Sequence, residues 1–396
     1  MTSKERVREA VACRPVDRVP LGLYAVDHDT IEHVIGRPTY VRNQLAMQLA
    51  LWEGRREELV EGWNADLTEF YRKVDCADVI TSRDAMLMPP PGVVNSPLMP
   101  PPQGDPFTPP KKVGENEWRD AAGRVFKAVP EVNEIRCVLD PTAEAAAERQ
   151  WRVEDFEGPL PELTAPDPAV FEVLDHVIRE FGGEKYIAGP SRGIVGLTLL
   201  GGFETGLMLY ALQPEVVRAA HRRFAADWKR YDQYYLRDGV DAGLFDQDMA
   251  GTNAPYISPA MFRELCFPYM RQRVQEVKQR VPQVILHNCG HNIPLIEMFI
   301  AAGFDCYQSL QTTAGMEIGL LKERFGGRLC FWGGVPVETL ISGTEAETRQ
   351  AVRTALERGA PGGGLILGPS QSIAKNTKYE NFMAMLDEFV RLRDKY

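Results

Sequence analysis

The sequence predicts an α/β fold: a (β/α)8 TIM barrel with an N-terminal helical extension and a Pro-rich insertion. Three observations carry that expectation. From Pro166 onward the pattern repeats as helix, strand and polar loop, which favours a parallel sheet. Apolar runs begin near residues 21, 78, 186, 242, 284, 306, 329 and 364, and eight such units favour closure over an open doubly wound sheet. No G-x-G-x-x-G follows the first run, as a dinucleotide-binding open sheet would require.

Each element has a local reason. Residues 3–13 have a helical rhythm entered through Ser3 as a cap, and Pro15-Val-Asp-Arg-Val-Pro20 stops it. Leu21-Gly-Leu-Tyr-Ala-Val26 reads as the first strand, followed by the polar turn Asp27-His28-Asp29. Residues 40–74 carry a helical apolar pattern, and Asp78-Val-Ile-Thr81 is the second strand, with Arg83 and Asp84 after it. Ten prolines fall within the 22 residues 89–110; proline donates no ladder hydrogen bond, so an extended surface loop is expected. Residues 118–130 and 135–139 read as a small hairpin. Loop and hairpin together form an insertion at 85–160 within one domain spanning 1–396.

The regular part then runs in order. Helix 169–181 leads to strand 186–189 and the loop carrying Arg192, and helices over 203–237 lead to strand 242–245 with Asp246 and Asp248 at its end. Helix 259–280 leads to the strand Val284-Ile-Leu286, helix 293–303 to strand 306–309 and Gln311, and helix 314–325 to strand 329–332. Helix 344–359 leads to strand 363–367 and Gly368-Pro-Ser-Gln371, before a final helix over 379–395.

A formal charge of −10 and a pI near 5.3 argue against a nucleic-acid partner, since phosphate neutralisation needs a basic face. No apolar run approaches the roughly 18 residues of a membrane span, and the first residues lack a signal peptide's apolar core. A cytoplasmic protein acting on small molecules is expected. Seven scattered cysteines do not form a disulfide framework and read as free thiols or metal ligands.

The stretch Val284-Ile-Leu-His-Asn-Cys-Gly-His-Asn292 concentrates the chemistry. Side chains alternate along a strand, so His287 and Cys289 share one side with Asn288 opposite. An imidazole beside a thiol is half of a tetrahedral zinc site, or else a buried thiol beside a hydrogen-bonded histidine. Barrel strand C-termini converge on one mouth, which would gather Tyr24, His28, Asp84, Arg192, Asp248, His287, Cys289, Gln311, Trp332 and Ser370.

Several segments resemble the uroporphyrinogen decarboxylase superfamily. They are Lys4-Glu-Arg-Val with Pro15–Pro20, Leu286-His-Asn-Cys-Gly290, Gly303-Phe-Asp-Cys-Tyr-Gln-Ser-Leu-Gln311, Trp332-Gly-Gly-Val335 with Glu338-Thr-Leu340, and 363–369 with Glu380-Asn381. The resemblance implies a (β/α)8 barrel. The true decarboxylases carry an Arg-Gln-Ala-Gly-Arg segment after the first strand, where this chain has Tyr24-Ala-Val-Asp-His-Asp, so a porphyrinogen substrate is not expected. The methyltransferase branch carries His-x-Cys and a distant Cys that together bind zinc; here His287 and Cys289 match, and the distant position falls on Ser370 or Gln371. A veratrol-type demethylase pattern, Asp-x27-Cys-x39-Cys, is matched by Asp238, Cys266 and Cys306, an alternative ligand set.

The resemblance thus implies a corrinoid-dependent methyltransferase, an O-demethylase component. It would move a methyl group from a methoxylated aromatic or similar small donor to the cobalamin of a partner corrinoid protein, with a Zn2+ site; a homodimer is compatible. Asp248, at a strand end, is a metal ligand or proton donor beside His287 and Cys289, or a helix N-cap, and Asp246 is equally placed for either role. Arg192 would bind an anionic group or pair with a neighbouring acid, Gln311 would hydrogen-bond substrate or tie loops, and His28 is a further mouth candidate. Tyr24, Phe203 and Trp332 would wall an arene ring or pack the barrel. Two rival functions stand beside this: a metal-independent decarboxylase or lyase acting on a small carboxylated substrate, and a non-catalytic corrinoid-binding paralogue.

Overall fold

The computed structural model describes residues 1–96, 106–141, 149–193 and 195–396. Seven parallel strands form a curled sheet: β1 (Val79–Thr81), β6 (Tyr186–Pro190), β7 (Ala242–Asp246), β8 (Gln283–His287), β9 (Cys306–Gln308), β10 (Cys330–Val335) and β11 (Leu365–Pro369), adjacent in that order. Fourteen α-helices are present among the described residues. No helix there is long and apolar enough to cross a membrane.

The strand expected at 21–26 is reduced to single bridges, Leu21 with Leu367 and Gly22 with Val79, both parallel. Gly22 N–H donates to Leu367 C=O (2.9 Å) and Asp78 N–H to Leu21 C=O (2.7 Å), so β11 is joined to β1 through two residues. Extension stops at Tyr24, whose φ of +60° no strand residue adopts. The result is a TIM-barrel-like α/β fold with seven strands and a bridging segment, where eight strands were expected.

Alternation along each strand sorts the apolar residues into two cores. Leu244, Ile285, Cys306, Cys330, Trp332 and Ile366 face the interior, while Phe245, Val284, Leu286, Tyr307, Phe331 and Leu367 pack under the surrounding helices. Val7, Ala10 and Val11 of the helix Ser3–Val11 join the interior core. This helix is capped by Thr2 and Glu5 in a reciprocal box, one residue earlier than the expected Ser3. It lies across the N-terminal ends of the strands: Arg6 pairs with Asp78 (3.1 Å), Arg8 with Asp241 (2.6 Å), and Gln283 Nε2 donates to Arg8 C=O (3.0 Å).

The helical pattern over 40–74 is two helices, Gln44–Trp52 and Arg56–Lys73, separated at Gly54 with φ +73°. The hairpin expected in the insertion is a four-stranded antiparallel sheet, β2 (Lys111–Lys112), β3 (Glu117–Arg119), β4 (Val125–Val129) and β5 (Glu134–Leu139). Its Phe126, Ala128 and Ile135 pack on Trp52. The proline-rich loop is described only at its flanks, since 97–105 lie outside the described residues. On the N-terminal flank, the Gln48 amide donates to Val94 C=O and accepts from Ser96 N–H.

Asp84, expected at the mouth, is fully buried beneath it. Its carboxylate accepts from Val26 N–H (3.1 Å) and Tyr71 O–H (2.7 Å), and its C=O accepts from Trp63 Nε1 (2.8 Å). Burial pushes its pKa up to about 6, against the opposing pull of Arg42 and Tyr71.

Two outcomes follow. A Cβ at Gly22 would sit 2.5 Å from the buried Trp332 ring, so Gly22→Ala is expected to cost about 1–3 kcal/mol in chemical denaturation; wild-type stability would contradict the tight bridge. Because Asp84 binds its proton more tightly folded than unfolded, its contribution is complete below pH ~4 and is lost as pH rises through about 6. The stability of wild type relative to Asp84→Asn should therefore fall by on the order of 3 kcal/mol between pH 4 and 7, and a pH-independent difference would contradict the assignment.

Candidate active site and metal centre

One layer above the apolar interior, each strand end turns polar. Asp246 stands two residues beyond Leu244, His287 two beyond Ile285, and Gln308 two beyond Cys306, so all three face inward. The parallel register places Asp246 beside His287 and His287 beside Gln308. Inward direction comes from alternation, and proximity comes from the ladder.

Gln308 Oε1 accepts a hydrogen bond from His287 Nδ1. An amide oxygen accepts only, so the proton sits on Nδ1 and the Nε2 lone pair looks into the barrel mouth. Tyr24 stacks flat on the imidazole, with centroids 4.2 Å apart and 7° between planes. Cys289 Sγ lies 3.4 Å from Nε2 and donates to Ser309 Oγ at 3.5 Å. Burial, with the Asp248 carboxylate next, pushes the Cys289 thiol up to about 12.

Asp248 Oδ1 accepts from Cys289 N–H (2.7 Å). Ligand atoms of Asp248, His287 and Cys289 lie within 4.8 Å of one another, the one His/Cys/Asp/Glu group of that kind among the described residues. Nitrogen, sulfur and oxygen donors together suit zinc. The Nε2 lone pair is oriented for a cation, and a dication would displace the thiol proton that burial otherwise retains. Gln371 Oε1, 4.0 Å from Sγ, is a fourth donor facing the group. Ser370 is not, because its Oγ accepts from Val337 N–H.

Asp246 links this group to a cavity. Oδ2 accepts from Tyr24 O–H (2.8 Å) and pairs with Arg83 Nη1 (3.3 Å), while Oδ1 faces His287 Nε2 at 3.9 Å. Burial and the Asp246 charge hold the Tyr24 phenol well above its usual range, so it remains a donor. Beyond Asp246 opens a cavity of about 240 Å³ lined by Ser82, Arg83, Met86, Leu87, Pro190, Ser191, Gly193 and Leu244.

Among the residues expected to contact substrate, Tyr24 alone reaches the layer. Trp332 is fully buried and donates through Nε1 to Gly22 C=O (3.0 Å), so it packs the barrel interior. Gln311 accepts from Gly290 N–H (2.9 Å) and donates to Thr313 (3.2 Å), tying loops. His28 Nδ1 is engaged by the Asn133 amide of the insertion (3.3 Å). Arg192 turns away, donating to Tyr235 O–H (2.6 Å) with its guanidinium over the Tyr231 ring. Phe203 is half exposed at its helix start, edge-on to Tyr256.

The alternative set does not converge. Asp238 is exposed before β7, Cys266 packs on Tyr210, and Cys306 lies beside Cys330 in the interior core. Two functional candidates escaped the sequence reading: Gln308, whose signal was its place two residues above Cys306, and Arg83, whose signal was its place at the end of β1.

A family model described as uroporphyrinogen decarboxylase (URO-D) matches residues 141–391. Chloroplastic uroporphyrinogen decarboxylase of Nicotiana tabacum is 30% identical over 173 residues, 43% of this chain and 41% of that protein. The Hordeum vulgare enzyme is 28% identical over 172 residues, 43% of this chain and 49% of that one. The match thus spans under half the length of these relatives. A solved methyltransferase from Methanosarcina mazei shares the fold over 99% of both chains, with a TM-score of 0.60 at 16% identity. Because the matched model covers more than half of the 396 residues, the chain belongs to the uroporphyrinogen decarboxylase family.

Proposed function

We propose that this chain is a zinc-dependent methyltransferase that moves a methyl group from a methoxylated aromatic, or a similar small donor, to the reduced cobalamin of a partner corrinoid protein. The observation that carries the reading is the convergence of Asp248, His287 and Cys289 at the C-terminal ends of β7 and β8, on a His-x-Cys pattern resembling the methyltransferase branch.

When an aryl ether gives up its methyl group, the C–O bond breaks and its electron pair stays on oxygen. Phenolate leaves poorly, so the protein must take up that charge. Zinc held by Asp248, His287 and Cys289 would supply a Lewis acid for it. Gln308 keeps the proton on Nδ1 and so holds Nε2 as a ligand. Tyr24 fixes the imidazole plane by stacking and one Asp246 oxygen by hydrogen bonding. The second Asp246 oxygen, 3.9 Å from Nε2, lies beside the candidate ligands, where a carboxylate accepts hydrogen bonds and so orients groups bound there.

Purified protein is expected to carry zinc and to form methylated cobalamin from reduced cobalamin and an aryl methyl ether, with both properties lost in His287→Ala. Gln308→Leu should keep the fold and weaken metal binding by about 10- to 100-fold. Asp246→Asn should retain metal while slowing turnover by about 10²-fold through lost positioning. Metal-independent turnover of a carboxylated substrate by His287→Ala would instead return the lyase reading.

A further inference from the structure

The insertion has no part in the chemistry above, yet its β4–β5 turn reaches the barrel mouth. Lys375 Nζ donates to Pro130 C=O and Glu131 C=O of that turn, both at 2.8 Å. Asn133, in the left-handed region at φ +56°, donates through its amide to His28 Nδ1 and to Arg42 C=O, both at 3.3 Å, and its Oδ1 accepts from Leu45 N–H (3.2 Å). Lys375 and His28 stand on two segments that pair with each other. Val26 and Ile373 form a parallel bridge, in which Ile373 N–H donates to Ala25 C=O (2.8 Å) and Asp27 N–H to Ile373 C=O (2.9 Å). Asp27, held by Arg42 (2.9 Å), also accepts from Lys375 N–H (2.9 Å). On one side of this bridge the turn grips His28 and Lys375. On the other lie Tyr24, flat on His287, and Gln371, whose Oε1 is 4.0 Å from Cys289 Sγ.

We propose that the insertion positions the fourth donor of the candidate metal site: its turn, through Lys375, fixes the loop after β11 that presents Gln371. The inference rests on the metal-site part of the reading above and is independent of the methyl donor. A neutral amide oxygen is a weaker zinc ligand than thiolate, imidazole or carboxylate, so its contribution depends on how little freedom it gives up on binding. Ser370 holds the start of the loop, its N–H on Val335 C=O (2.6 Å) and its Oγ on Val337 N–H (3.1 Å), and Ile373 holds the middle through the bridge. The outer end is closed by Asn376 N–H on Asp29 (2.6 Å) and by the ammonium of Lys375 on the two turn carbonyls. Because the same turn holds His28 through Asn133, it grips both partners of the bridge, and Gln371 is delivered from a rim that the insertion ties together. Lys375 is thus a positioning residue acting through Gln371.

The test is zinc affinity of the whole protein by chelator competition, which needs no turnover. Lys375→Met should weaken zinc by about 10-fold, the low end of what an orienting partner carries, and Lys375→Arg should restore most of it. Lys378 clamps Ser342 C=O (3.3 Å) and Gly343 C=O (2.9 Å) away from the insertion, so Lys378→Met should leave affinity at the wild-type value. Gln371→Ala should weaken zinc at least as much as Lys375→Met. Adding Lys375→Met to it should cost less than about a further twofold, because a residue acting through another falls silent once that other is gone. Wild-type affinity in Lys375→Met, an equal loss in Lys378→Met, or additive losses in the double variant would overturn the positioning. Zinc lost in His287→Ala but untouched by Lys375→Met would remove the positioning and keep the metal site, and no zinc binding by the wild-type protein would remove both. Lys375-dependent zinc binding without methyl transfer would keep the positioning and remove the methyl-transfer reading.

Discussion

The register of β7, β8 and β9 is the constraint on which the site depends. Parallel pairing sets Asp246 beside His287 and His287 beside Gln308, and the two-residue period turns all three inward. A slip of one residue on β8 would send His287 under the helices and bring Asn288 into the mouth. The apolar packing opposes such a slip, because Val284 and Leu286 belong to the outer core and Ile285 to the inner one. The hydrophobic pattern that forms the sheet is therefore also what aims the chemistry.

Around that register, ordinary packing residues act as orienting groups. Tyr24 occupies the left-handed region, which costs a non-glycine residue about 1–2 kcal/mol, and that turn lays its ring flat on His287 while its hydroxyl reaches Asp246. Trp332 sits edge-on to Tyr24, 6.0 Å between centroids, and is held by Gly22 C=O. A glycine is required at 22 because the indole occupies the space of any side chain. The bridge that joins β11 to β1 is thereby coupled to the orientation of the candidate ligand.

What the sequence revealed follows the same physics. Strand alternation made the shared face of His287 and Cys289 legible, and their spacing marked a ligand pair. The strand at 21–26 was overread because an apolar, aromatic run looks extended whatever φ one tyrosine adopts. Where Arg192 points was not legible for a related reason: it follows a strand as Arg83 does, and only the tertiary stack on Tyr231 and Tyr235 turns it away. Gln308 showed only an inward-facing place two residues above Cys306, because its role exists through a neighbour on another strand. Between Ser370 and Gln371 the sequence offered no choice, and the Ser370 cap on Val337 makes it.

The helix Ser3–Val11 stoppers the floor of the barrel with Val7, Ala10 and Val11. A vessel corked at its base fills and empties through its rim alone. Under the proposed transfer this would impose a queue, in which the small donor would settle before a bulky acceptor covered the doorway, and the spent donor would depart only after that cover lifted.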